Sequence, residues 1–132
     1  MNTVTIRLLN ILKNSSITNT EFVCVNSNQL AQSIVKILYR EGYILSFKFR
    51  KKENYTNNTS EILVYLRYLY NKSNLRKLKI ISSPSRKISI SYKQLTRISS
   101  KNKLFLFSTT KGLLTLEECK QKKVGGILFF IC

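Results

Sequence analysis

Between Val4 and Arg40 apolar residues recur at helical spacing, interrupted once by a short β-rich run. Val4, Leu8, Leu9, Ile11 and Leu12 fall on one face of residues 4–13, which predicts an amphipathic helix. Glu21 to Val25 reads as a short strand. Ser27 is a candidate N-cap for a second helix through about Arg40, with Leu30, Ala31, Ile34, Val35, Ile37 and Leu38 as its apolar stripe. Gly42 follows as a residue able to take left-handed backbone just past a helix end. The period then shortens to that of a strand. Strands are expected at about 43–50 and 61–70, joined by the polar, asparagine-rich stretch Lys51 to Ser60.

A polar break at 71–74 marks the expected boundary between an amino-terminal α/β domain, 1–72, and a carboxy-terminal domain, 73–132. In the second half, strands are expected near 75–82 and 86–92, joined by a turn at Ser82-Ser83-Pro84-Ser85. A short helix around 93–98 and a strand at 103–108 come next. Thr115 to Glu118 matches a capping box and opens a helix with acids at its start and Lys120, Lys122 and Lys123 at its end. Gly125-Gly126 is expected to stop that helix before a final strand. The fold class is α+β: an αβαββ domain, then a β-rich domain with short helices.

Charge narrows the function. The 132 residues carry 23 lysines and arginines against six acids, a formal net charge of +17. A small domain needs a magnitude of only roughly 2–8 for solubility. A larger excess repels itself unless a polyanion neutralises it, either a phosphate backbone or an anionic membrane. Seven tyrosines and seven phenylalanines interleave with the cations, which suits nucleic acid because rings stack on bases. No apolar run approaches the roughly 20 residues that span a bilayer. A membrane partner is not expected.

The missing residues narrow it further. There is no histidine, aspartate or tryptophan, and the acids are Glu21, Glu41, Glu53, Glu61, Glu117 and Glu118. Histidine-based acid–base or triad chemistry is excluded, and a carboxylate cluster for catalytic metal ions can scarcely be built. An enzyme, a cofactor, a bound metal and a small-molecule substrate are all unexpected. Cys24, Cys119 and Cys132 are odd in number and lack CxxC spacing, so they read as reduced thiols in a core. Asn58-Thr59-Ser60 matches a glycosylation sequon but reads as polar loop. The first sixteen residues, with Arg7 and Lys13 and no acid, superficially resemble a transit peptide, and the ordinary amphipathic helix is the preferred reading.

Candidate contact residues follow from local chemistry. Ser108-Thr109-Thr110-Lys111-Gly112 leaves an apolar strand and enters a turn with three hydroxyls, exposed amides and one lysine. Such a surface offers hydrogen bonds to phosphate, ribose and base edges, although a plain turn fits the same residues. Gly125-Gly126 could let a backbone approach RNA closely, or simply cap a helix. Pro84-Ser85-Arg86-Lys87 sets two cations beside a rigid turn, a pattern that alone is most often just a solvated turn. Lys48, Arg50, Lys51 and Lys52 either extend a phosphate-binding surface or form a charged hairpin tip, with nothing to choose between them. Strand alternation would send Lys77 and Lys79 to one face and Arg76 to the other, as general electrostatics.

On these residues the chain resembles the universal small-subunit ribosomal protein S-eight family. Ser108-Thr109-Thr110-Lys111-Gly112 is similar to that family's Ser-Thr-Ser-Lys-Gly signature. Thr115, a charged helix and Gly125-Gly126 follow at the family's spacing. Upstream, Ile37-Leu38-Tyr39-Arg40-Glu41-Gly42-Tyr43-Ile44 resembles its Ile-Leu-Lys-Arg-Glu-Gly-Phe-Ile stretch. Ser83-Pro84-Ser85-Arg86-Lys87-Ile88 resembles its proline turn, and Lys13-Asn14 the end of its first helix. The match from Thr5 onward makes the first helix part of the fold.

The resemblance implies a two-domain α+β protein that binds a helix in the central domain of small-subunit ribosomal RNA, beside neighbouring small-subunit ribosomal proteins. It implies RNA contacts at Ser108, Thr109, Thr110, Lys111 and Gly112, with support from Gly125, Gly126, Pro84, Arg86, Lys87, Lys13 and Asn14. The family usually has glutamate where this chain has Ile127, glycine at Ser85, aspartate at Arg7 and arginine at Ile11. A generic basic DNA- or RNA-binding protein is the alternative. Ile, Asn, Lys, Phe and Tyr make up 56 of the 132 residues, while alanine and proline occur once each. That A/T-rich codon bias, with the divergence, points to a mitochondrial ribosome first and a plastid one second.

Overall fold

A computed structural model describes residues 3–53 and 58–132. Its element order is α1 (Thr3–Ile17), β1 (Phe22–Asn26), α2 (Gln29–Arg40), β2 (Ile44–Glu53), β3 (Asn58–Leu66), a 3-10 turn (Asn74–Lys77), β4 (Lys79–Ile80), β5 (Ser89–Ile90), α3 (Tyr92–Leu95), β6 (Phe105–Thr109), β7 (Gly112–Thr115), α4 (Leu116–Lys122) and β8 (Gly126–Ile131). The class is α+β, with helices set on antiparallel sheets. Contacts group Arg7–Lys77 as one unit and Leu78–Cys132, with the start of α1 up to Ile6, as another. The polar break at 71–74 places the expected boundary at 72/73.

In the Arg7–Lys77 unit, β3 lies between β1 and β2 in a three-stranded antiparallel sheet. One sheet face carries Val25, Ile62, Val64, Leu66 and Ile44, all buried. Leu8, Leu9 and Leu12 of α1 and Ala31, Ile34, Val35, Ile37 and Leu38 of α2 are buried as well. Leu30 is exposed, so the stripe of α2 is narrower than the sequence suggested. The N-cap of α2 is Asn28, not Ser27: the Ala31 N–H donates to Asn28 Oδ1 at 2.6 Å. Gly42 has φ +80° just past the helix, the left-handed conformation that ends it.

The strands β2 and β3 reach further along the hairpin than expected. Most of the Lys51–Ser60 loop is strand, including Asn58-Thr59-Ser60, and residues 54–57 lie outside the described residues. At its other end β3 stops at Leu66, and a bridge between Leu69 and Lys72 closes a tight turn with Tyr70 and Asn71 both at positive φ.

The first helix also continues beyond residue 13, to Ile17. Asn19 takes φ +57°, and the Thr20 N–H reaches back to the Ser15 carbonyl at 3.1 Å, the hydrogen bond of a Schellman-type end. Arg76 completes it, with Nε on the Ser16 carbonyl at 3.0 Å and Nη2 on Ile17 O at 3.3 Å and Asn19 Oδ1 at 2.7 Å. Arg76 and Lys77 therefore lie on a 3-10 turn, not on a strand, and Arg76 neutralises helix-end carbonyls instead of supplying general charge.

In the other unit β8 is the organising strand. It pairs with β6, which pairs in turn with β7. On its other side Ile80 lies opposite Phe130 and Ser89 opposite Ile127, so β4 and β5 are two pieces of one interrupted edge strand. They do not pair with each other. The expected turn is present, with Ser83 and Arg86 exchanging backbone hydrogen bonds, but it forms an excursion between two contacts with the same partner. Leu95, Phe107, Leu114, Leu116, Cys119 and Leu128 form a buried core against one face. Cys119 and Cys132 are buried, whereas Cys24 is exposed, because its alternate position on β1 faces away from the core.

Candidate nucleic-acid interface

Ser108 to Gly112 form a hairpin, and β7 begins where the sequence suggested only a turn. Thr109 lies opposite Gly112 in register, leaving Thr110 and Lys111 as the exposed tip. Gly112 has φ +100°, while Thr110 and Lys111 have no positive φ. This is the geometry of a type I turn closed by a glycine bulge. No atom stands within 4 Å of where a Gly112 Cβ would be, so the glycine answers to conformation and not to space.

The three hydroxyls have different partners. Thr109 Oγ1 donates to the Gly112 carbonyl at 2.9 Å and accepts the Lys111 N–H at 3.2 Å. It braces the loop from within. Thr110 is exposed at the tip, and Ser108 is half-buried on β6. Phe107 on β6 points into the core with Leu114 and Leu128, so the alternate residue Ser108 shares the opposite face with Leu113 and Ile127.

Gly125 and Gly126 do not end α4. Lys123 does, at φ +55°, and the Val124 N–H donates to the Cys119 carbonyl at 3.1 Å. The helix opens as expected, with the Thr115 N–H donating to Glu118 Oε2 at 2.9 Å. What the glycines permit is close approach of the chain to itself. A Cβ on Gly125 would stand 2.6 Å from the Ile90 carbonyl oxygen, and one on Gly126 2.5 Å from that of Ser108. They set the rim of β8 tightly between β5 and the hairpin.

The register across β8 then brings two candidate segments to one strand. Ile127 lies opposite Ser89 on one side and Ser108 on the other. Just before Ser89 comes the Pro84 excursion. Ser83 and Arg86 exchange backbone hydrogen bonds at 2.9 and 3.2 Å, and Ser83 Oγ accepts the Arg86 N–H at 3.1 Å. Ser85 has no positive φ, so serine is tolerated there. Buried Ser82 anchors the excursion, its Oγ donating to the Leu128 carbonyl and accepting the Ile88 N–H at 3.2 Å. The sequence offered no sign of that anchor beyond a serine in a turn. Pro84, Arg86 and Lys87 are exposed.

Lys13 and Asn14 belong to the other unit, one turn before the end of α1. Their carbonyls accept the Ser16 hydroxyl at 2.6 Å and the Thr18 N–H at 3.1 Å respectively. Lys13 is half-buried and Asn14 exposed. Elsewhere Glu61 pairs with Lys52 at 3.5 Å and Glu118 is held in its cap. Among the described residues no three His, Cys, Asp or Glu side chains come together, and no helix is long and apolar enough to cross a membrane.

An α+β chain of this charge, with hydroxyl- and cation-bearing loops at one strand rim, offers the chemistry that phosphate backbones are held by. The chain belongs to the ribosomal protein S8 family, whose sequence model matches residues 5–132. It is 38% identical over 123 residues to the small ribosomal subunit protein uS8 of Borreliella afzelii (strain PKo), covering 92% of this chain and 89% of that one. The small ribosomal subunit protein uS8c of Anthoceros angustus is 31% identical over 127 residues, covering 95% and 93%. The small ribosomal subunit protein uS8m of Acanthamoeba castellanii is 32% identical over 106 residues, covering 79% and 78%.

Proposed function

We propose that this chain is a structural constituent of the small ribosomal subunit, binding a helix of the central domain of small-subunit ribosomal RNA and supporting its assembly. Membership of a ribosomal protein family makes the role structural and not enzymatic. The observation that carries the contact surface is the register at Ile127. It sets Ser108 on one flank and Ser89, close to the Pro84 excursion, on the other. Hydroxyls and the exposed tip amides would read the RNA helix, and Lys111, Arg86 and Lys87 would hold its phosphates. Gly125 and Gly126 support that surface by keeping β8 close to its neighbours, and Lys13 and Asn14 add a contact from α1. An aliphatic side chain at Ile127 leaves this row without the family's usual carboxylate. Neighbouring small-subunit proteins are the expected protein partners. The relatives include forms designated uS8c and uS8m, and the A/T-rich composition favours the mitochondrial ribosome, with the plastid ribosome second.

The test is binding of the full chain to the central-domain helix and to a random duplex of equal length, at matched salt. Tight, salt-sensitive binding to the first with much weaker binding to the second is expected. Equal affinity for both would overturn this reading in favour of a generic basic binder. Co-sedimentation of the tagged chain with the mitochondrial small subunit tests the compartment, and recovery with the plastid subunit would correct it.

A further inference from the structure

The outer face of the three-stranded sheet carries aromatic rings and cations that the surface proposed above does not use. Register places Phe22, Cys24 and Asn26 of β1, Glu61, Leu63 and Tyr65 of β3, and Ser46, Lys48, Arg50 and Lys52 of β2 on the face opposite the buried valines and isoleucines. This face is open. Phe22 is 47% exposed and Tyr65 half-buried, and Lys48, Arg50 and Lys52 are exposed on β2, across the central strand from Phe22.

Two aromatic rings stand at one end of it, where β1 begins and β3 ends. Phe22 and Tyr65 are directly opposite one another, with centroids 5.8 Å apart and planes tilted by 43°. Lys48 Nζ lies 5.9 Å from the Tyr65 centroid, close enough for the ring face to attract the charge. On β2 every second residue from Lys48 is a cation, so a row of positive charge leads away from the rings along that strand. The one carboxylate on this face among the described side chains, Glu61, pairs with Lys52, at the end of the row away from the rings.

We infer that this face binds an unpaired RNA strand, with bases on Phe22 and Tyr65 and phosphates along Lys48 and Arg50. The contact goes beyond the helix-binding surface proposed above and lies on the other unit. Rings on a sheet flanked by cations stack bases irrespective of sequence, while the cations track the backbone. A protein partner fits less well. The cores of protein interfaces are depleted of lysine, and here a lysine ammonium lies 5.9 Å from the centroid of the ring that would be the anchor.

Binding of the full chain to an oligouridylate of about ten nucleotides, an unstructured probe of suitable length, tests the inference by fluorescence anisotropy. Phe22→Ala and Tyr65→Ala are each expected to weaken that binding roughly tenfold, while Tyr65→Phe retains it. Thr110→Ala should leave it unchanged. Conversely, the ring variants should still prefer the central-domain helix over random duplex, so failure of one reading is distinguishable from failure of the other. Lys48→Gln with Arg50→Gln removes exposed charge without touching the core, and should weaken oligouridylate binding and flatten its salt dependence. Unchanged affinity in that double variant would overturn the inference even if a ring variant failed to fold. So would burial of this face by a protein neighbour in the intact small subunit.

Discussion

Gly126 abuts the backbone of Ser108 so closely that an added Cβ would stand 2.5 Å from the Ser108 carbonyl oxygen and 2.8 Å from Thr109 Cγ2. Backbone cannot swing aside as a flexible side chain can. Gly126→Ala should therefore force β8 away from β6, costing about 1–3 kcal/mol as overpacking does, and misplace the hairpin. Urea unfolding would show the loss of stability, and RNA discrimination should fall with it. Gly125→Ala meets the Ile90 carbonyl and should behave alike. Wild-type melting in both variants would rule out the close-approach account.

Neighbouring threonines in the hairpin should separate by assay. Thr109→Val removes a hydroxyl bonded to Gly112 and Lys111, so it should loosen the loop by about 1 kcal/mol and lower RNA affinity through that disorder. Thr110→Ala and Ser108→Ala should instead weaken recognition by about 1–3 kcal/mol, on the scale of a lost base contact, with no change in melting temperature. Calorimetry beside binding measurements distinguishes the two. A stability loss confined to Thr110→Ala would reverse the assignment.

Arg76 binds three acceptors at the end of α1. Water can reach part of this site, so Arg76→Met should cost only about 1–2 kcal/mol. Because the charge is spent on a helix end, the salt dependence of RNA binding should barely change. A clear reduction in the salt slope would mean that Arg76 contacts phosphate after all.

The cysteines predict an alkaline weakness. Burial pushes the Cys132 thiol up to about 12. Burial also raises Cys119, with Glu118 adding to the rise and Lys122 opposing it. An unfolded thiol ionises near about 8.5, so between that pH and the folded value the unfolded chain has released a proton that the folded chain retains. Stability from this source is intact below about 8.5 and falls as pH rises toward 12. Denaturant midpoints measured from neutral to alkaline pH should decline, and less steeply in Cys132→Ala. A thiol reagent at neutral pH should modify exposed Cys24 well before the other two; equal rates would contradict the burial.

Periodicity located α1, α2 and the two strands of the β2–β3 hairpin, and a four-residue motif located the Thr115 capping box, since each is set by neighbours within a turn or a pleat. The Ser108–Gly112 segment was legible for the same reason: hydroxyls, a lysine and a glycine crowd a short run of sequence. Local spacing could not show which residue caps α2, because Ser27 and Asn28 are both competent and only the geometry at Ala31 selects Asn28. Nor could it show that β4 and β5 share β8, that Arg76 closes a helix some sixty residues earlier, or that Gly126 rests on Ser108. Those relations join residues far apart in the chain, and they exist only once strand register is set. The net charge, the absent histidine and aspartate, and the ordered motifs were properties of the chain itself. Bringing Ser108, Ile127 and Ser89 into one row required folding, because hydrogen bonding across β8 places them and no sequence spacing encodes that pairing.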